Sequence, residues 1–277
     1  TLGVAGGTLI YFLMRYFVLG PAHFLGIETS IIENPLLFTD VPGRVATSLQ
    51  ILWMYISKTF WPANLCSDYS YNQILIANFS NPQVWLGAAI LLFAIISFFF
   101  LFKKKPTRAT PEASARRVIS FASAIFLASF IPVSNLLFPV GTIAGERLFF
   151  FPSLGFALLV ALLLTPSNLP LGRGRQATII AIIVVYSVLS FNRQGIWMSE
   201  KKLFLNAAEC APNSVLSLSN LGTVYYFRGD YDRAQEALEA SKAIKPVYSK
   251  GLNNLGLVYW KQGRFAESER MYLEALK

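Results

Sequence analysis

Four stretches of this chain run without a charged side chain: 84–102 (VWLGAAILLFAIISFFFLF), 118–138, 148–164 and 177–191. A hydrocarbon core of about 30 Å needs about 20 apolar residues in helical form. The first two stretches meet that length, and the other two reach it with flanking residues or local bilayer thinning. Residues 1–19 predict a fifth span, interrupted by Arg15. Gly3 and Gly7 lie four apart in it, a spacing that permits close helix packing but that ordinary packing explains as readily.

Two other textures complete the pattern. Between residues 19 and 84, Val45, Leu49, Leu52, Trp53, Ile56 and Phe60 recur at helical spacing while Thr47, Ser48, Gln50, Ser57 and Lys58 fall elsewhere on the wheel. This predicts an amphipathic helix near 45–61, suited to a membrane surface. From residue 193 a repeat takes over. Asn220-Leu221-Gly222 and Asn254-Leu255-Gly256 stand 34 residues apart, as do Pro212 and Pro246, Tyr225 and Tyr259, Gly229 and Gly263, and Tyr231 and Phe265. Ala234 and Leu238 have Ser268 and Tyr272 as counterparts. A helix–turn–helix of this period is the tetratricopeptide repeat, which buries its apolar face only against neighbouring repeats. The fold class is therefore all-α: a membrane domain over 1–192 holding about five spans, then a solenoid over 193–277.

Composition supports the membrane reading, with 54% hydrophobic and only 14% charged residues, where soluble chains carry about a quarter charged. The formal charge of +9 is no nucleic-acid signature, because much of it flanks apolar runs. Lys103, Lys104, Lys105, Arg108, Arg116 and Arg117 separate two spans, and Arg173 and Arg175 follow two spans later. The positive-inside rule makes that side cytoplasmic. The loop 20–83, the turn at Glu146–Arg147 and everything after 192 are then exoplasmic. The chain starts without Met inside an apolar run and stops within a helical pattern, so a longer protein is expected. Cys66, Cys210 and the lone His23 give no metal-ligand spacing and too few thiols for a disulfide framework.

Candidate chemistry centres on SNLLFPVGTIAGERLFFFPSLG, residues 134–155. Charged side chains well inside a bilayer cost about 2.5–3.5 kcal/mol on insertion scales and are candidate functional residues. Glu146 and Arg147 form either a local ion pair at a turn or an anion site. In the second case the Arg147 guanidinium forks onto phosphate oxygens, Gly141 and Gly145 let backbone N–H groups approach, and Glu146 orients the arrangement. Asp68, between aromatic residues, is a weak candidate for a base on an acceptor hydroxyl; a turn partner or helix cap is the commoner use of such a residue. Asn78-Phe79-Ser80 is a glycosylation acceptor sequence, with Pro82 and the membrane close by.

Four pieces of the chain carry a likeness: ENPLLF with Arg44 and Thr47 (33–47), YISKTFWPANLCSDYS (55–70), IPVSNLLFPVGTIAGERLFFFPSLGF (131–156) and NRQGIWMSEKKLFLNAAECAPNS (192–214). Together they resemble the transmembrane and tetratricopeptide-repeat-containing O-mannosyltransferases and their bacterial relatives. The resemblance implies a multi-pass GT-C type glycosyltransferase. It takes mannose from a polyprenyl-phosphate carrier on the exoplasmic face and passes it to Ser or Thr of acceptor proteins, which the repeats present. No cofactor beyond that donor is implied. Arg147 is the first candidate for the donor phosphate and Arg44 the second. The family's catalytic acid sits after its first span, upstream of this chain, so activity from these residues alone is not expected. Phe150 and Phe151 stand where the family often has Tyr. The compartment implied is the endoplasmic reticulum membrane with luminal repeats, or a bacterial inner membrane with periplasmic ones. Two other readings remain: a membrane-anchored repeat scaffold, and an O-antigen ligase-like enzyme.

Overall fold

The computed structural model describes residues 13–14, 30–62, 64–99, 111–165 and 172–277. Nearly all of the expected 1–19 span, His23, and the basic cluster Lys103, Lys104, Lys105 and Arg108 lie outside those residues. Every regular element described is helical. Helix α1 covers Val41–Phe60, α2 Pro82–Phe99, α3 Pro111–Phe130, α4 Phe150–Leu164 and α5 Arg173–Trp197. The repeat helices follow: α6 Glu200–Cys210, α7 Val215–Phe227, α8 Tyr231–Ile244, α9 Ser249–Lys261 and α10 Phe265–Ala275.

Among the described residues, four segments are long and apolar enough to cross a membrane: Pro82–Phe99, Ala115–Val133, Glu146–Leu164 and Arg173–Trp197. Glycines set two of the packing distances between helices. A Cβ at Gly87 would collide with the Leu49 carbonyl oxygen, and one at Gly155 with that of Ala122, so α1 lies tight on α2 and α3 on α4. In contrast, no residue of α5 is buried.

Helix α1 begins where Asp40 accepts a hydrogen bond from the Gly43 N–H and Pro42 occupies the first turn, a common helix start. Its apolar stripe does not lie on a membrane surface. Leu49, Ile51, Leu52, Tyr55 and Ile56 are all buried. Most of them join Phe126, Phe130, Ile143 and Phe149 in one core, because the loop before α2 and the turn before α4 fold over the helix. Fully buried Asn34 ties the segment before α1 to the turn before α4: it donates to Asn135 Oδ1 (2.9 Å) and to the Val140 carbonyl (2.6 Å).

The repeats sit at the same end of the bundle as that loop. The Asn72 N–H donates to the Asn213 carbonyl and the Val215 N–H to that of Tyr71. Cys66 and Cys210 form a disulfide, with Cα atoms 5.9 Å apart. The two thiols are too few for a framework, yet they make one bridge between partners 144 residues apart; nothing in their spacing announced it. Arg116, Arg117, Arg173 and Arg175 lie at the starts of α3 and α5, the helix ends remote from the repeats.

Within the array, Gly229 and Gly263 share one left-handed turn conformation, with φ of 75° and 76°, which a residue lacking Cβ adopts without strain. A Cβ at Gly222 would meet Leu238, and one at Gly256 the Tyr272 ring. The 34-residue correspondence is therefore also a correspondence of contacts.

Candidate functional site

The end of α1 and the turn before α4 enclose a cavity of about 290 Å³. Tyr55, Lys58 and Thr59 come from α1, Leu65 from the following loop, and Glu146 and Arg147 from the turn. The start of α4 adds Phe150 and Ser153, and α5 contributes Tyr186. The Tyr186 hydroxyl donates to the Thr59 carbonyl at 2.6 Å, which ties the otherwise unburied α5 to the cavity rim. Residues 146–149 form a single 3-10 turn running into α4, so the charges stand at the head of a span rather than within its apolar length.

Glu146 and Arg147 do not pair with each other among the described residues. Glu146 Oε1 accepts from the Cys66 N–H (2.8 Å) and the Tyr69 hydroxyl (2.7 Å), and stands 3.9 Å from Lys58 Nζ. Lys58 also donates to the Asn64 carbonyl at 2.8 Å and lies 5.6 Å from the centre of the Tyr69 ring. Arg147 is exposed and has no hydrogen-bond or ion-pair partner among the described residues. Of the expected pair, Glu146 is committed to holding the loop and a lysine, and Arg147 is open to a ligand.

Burial sets the protonation of the cavity wall. It pushes the Lys58 ammonium below its usual value against the pull of Glu146. Burial, followed by the hydrogen bond to Glu146, pushes the Tyr69 hydroxyl far above the usual phenol value. Burial also holds Tyr55 up, while its oxygen accepts from the Gly145 N–H at 2.9 Å. Both phenols are therefore neutral near pH 7, and the cavity's formal charge comes from two cations and one carboxylate.

The other two candidates lie elsewhere. Arg44 is in the first turns of α1, about 20 Å along the helix axis from Lys58; its Nε is buried without a partner among the described residues. It does not join Arg147. Asp68 Oδ2 accepts from the Ser70 N–H (3.1 Å) and from the hydroxyls of Ser214 (2.7 Å) and Ser217 (3.3 Å). Ser214 is the N-cap of α7. Asp68 thus serves as a turn partner and fastens the loop to the head of a repeat helix, where a carboxylate is favoured.

Lys58 and Tyr69 are the residues that the sequence reading missed. Lys58 had a signal: it is the sole charge within 45–61, in the last turn of a helix whose one other charge, Arg44, lies in its first turns. Tyr69 had none, since its role depends on a partner 77 positions away.

Family models described as tetratricopeptide repeat match residues 203–236 and 251–277. Protein O-mannosyl-transferase Tmtc3 of Drosophila melanogaster is 24% identical over 98% of this chain, which spans 29% of that relative's length. The human protein O-mannosyl-transferase TMTC3 is 26% identical over 88% of the chain and is covered over 26% of its own length. Protein O-mannosyl-transferase Tmtc2 of Drosophila melanogaster reaches 32% identity, over 48% of the chain and 14% of its own length. The chain spans less than a third of the length of these curated relatives and, over nearly all of its own, is similar to one stretch of the protein O-mannosyl-transferases.

Proposed function

We propose that this chain is the donor-binding and acceptor-presenting part of a membrane protein O-mannosyltransferase. Its cavity at Arg147 would take the phosphate of a polyprenyl-phosphate sugar. The carrying observation is the unpartnered Arg147 beside half-buried Lys58, at the head of a span where a lipid headgroup would lie. Arg147 offers a planar fork to phosphate oxygens, and Lys58 adds a second positive charge. Both would stabilise the charge that builds on the departing carrier phosphate as the sugar leaves it. Glu146 keeps Lys58 in place, and the neutral Tyr69 holds Glu146 by its hydroxyl. The catalytic acid is assigned outside these residues, since Asp68 Oδ2 accepts three hydrogen bonds in joining loop to repeats.

The arginines of the span ends remote from the repeats favour a cytoplasmic placement there. The Cys66–Cys210 bridge favours an oxidising compartment at the opposite face, either the endoplasmic reticulum lumen or the periplasm. Site and repeats then share one compartment, as presentation of an acceptor protein requires.

The test is transfer of labelled mannose from polyprenyl-phosphomannose to protein by the full-length enzyme in membranes. Arg147→Ala is expected to lower kcat/KM about 10- to 100-fold, the loss of one or two charge-assisted hydrogen bonds, with folding unchanged. Equal transfer by both proteins would remove Arg147 from the donor site. Absence of transfer by wild type would instead favour a repeat scaffold or a different donor.

A further inference from the structure

A second cavity of about 330 Å³ lies along α1 from the first, with Tyr69 in its wall, and the Tyr69 hydroxyl donates to Glu146, which lines the first. Gln50, Gln73 and Gln83 line it together with Met54, Leu75 and Tyr69, and no charged residue borders it among the described residues. Gln50 Nε2 donates to Gln83 Oε1 at 3.3 Å, while Gln50 Oε1 is buried with no partner among the described residues. Gln73 Oε1 accepts from the Asn213 N–H at 3.1 Å, one residue before the cap of α7. Leu75 is 67% exposed at the rim.

We infer that this cavity binds an uncharged, extended peptide segment: on the reading proposed above, the stretch of acceptor that carries the hydroxyl. An amide side chain presents one acceptor and paired donors, like the peptide group itself. A row of glutamines can therefore pair with a backbone whatever its side chains are. A buried carbonyl oxygen without a donor is costly, and the N–H of such a backbone would supply one. Apart from Tyr69, whose hydroxyl is taken by Glu146, the remaining wall of Ile51, Met54, Ile74 and Leu75 is apolar. It suits the apolar side chains of an extended strand better than the hydroxyl-covered faces of a free sugar. The position also suits an acceptor: Gln73 ties this cavity to the residue before the cap of α7, and Tyr69 in its wall bonds to Glu146 of the Arg147 cavity.

The test uses the full-length protein in detergent without donor. The probe is a soluble fluorescent peptide whose centre alternates threonine and valine. Gln50→Leu keeps the side-chain bulk and removes the hydrogen bonds; it is expected to weaken peptide binding about tenfold. Acceptor KM should rise in parallel and donor KM stay fixed. Leu75→Trp, at an exposed rim position, should obstruct entry with little effect on folding, and serves if Gln50→Leu unfolds. Arg147→Ala should leave peptide binding intact. If wild type binds the peptide but transfers nothing, the peptide site stands and the transferase reading fails. Peptide binding unchanged in both rim and glutamine variants, no binding at all, or displacement by free methyl mannoside at this site would each overturn the inference.

Discussion

The repeat array and the membrane-side loops reach the same close packing by opposite routes. In the array each contact has a copy 34 residues on: Gly222 against Leu238, then Gly256 against Tyr272. Partners lie within one repeat or its neighbour, so losing one contact leaves its copy in place. Around the cavity nothing repeats. Asn34 bonds to Asn135, Cys66 and Tyr69 to Glu146, and Cys66 is tied to Cys210. Each is a single long-range contact without a substitute. The array is robust because it is redundant, and the site is specific because it is not.

Cutting the one covalent link between these regions has the largest expected effect. Cys66→Ser with Cys210→Ser should cost the junction about 2–5 kcal/mol, read by denaturant-induced exposure of the 64–77 loop to protease. The helical signal of the array should persist through that transition. A junction equally resistant with and without reductant would mean that the bridge contributes nothing.

Asparagines in the two regions sharpen the contrast. Asn34→Ala takes the side-chain donor from the Val140 carbonyl and the acceptor from the buried Leu36 N–H, at about 1–3 kcal/mol. Asn254 makes one half-buried bond to Thr223 in the array, at 2.9 Å, and its replacement by Ala should cost about 0.5–1.5 kcal/mol. Thermal unfolding of the two variants in the same detergent orders them. Asn254→Ala as the more damaging change would break the comparison.

The smallest effect is a pH dependence that belongs to the site alone. Burial places the Lys58 ammonium below its usual 10.5. As pH rises through that lowered value Lys58 loses its proton before an exposed lysine would, so donor KM should rise. Stability should move the other way. The desolvation cost of the charged lysine is relieved between its folded value and 10.5, and the fold gains over that window. Lys58→Arg should flatten both trends; a donor KM still rising in that variant would assign the titration elsewhere.

How much of this was legible follows the same division. The 34-residue period exposed the repeats residue by residue, down to the glycines at the turns, and four charge-free runs marked the four candidate spans. Arg147 was visible as a charge between apolar runs. The amphipathic pattern at 45–61 revealed a helix but not what covers its stripe, because periodicity records that a face is apolar and not whether lipid or protein meets it. Arg44 and Asp68 shared a resemblance with Arg147 but not a cavity. Tyr69, Cys66 and Asn34 owe their roles to partners 77 to 144 positions away, and no local pattern encodes such distances.

The fastening of α7 has a further consequence. A solenoid behaves as a one-dimensional lattice whose open ends fray, and each end ordinarily carries a polar capping helix. Here the near boundary is held from outside the array: Cys66 is bridged to Cys210 at the end of α6, and Asp68, Ser70 and Tyr71 bond to the head of α7. One edge of the lattice is pinned by the membrane-side loop, so order propagates outward from α7. Amide hydrogens should then exchange progressively faster from α7 through α10, a gradient that a free-standing array with two equivalent ends would not show.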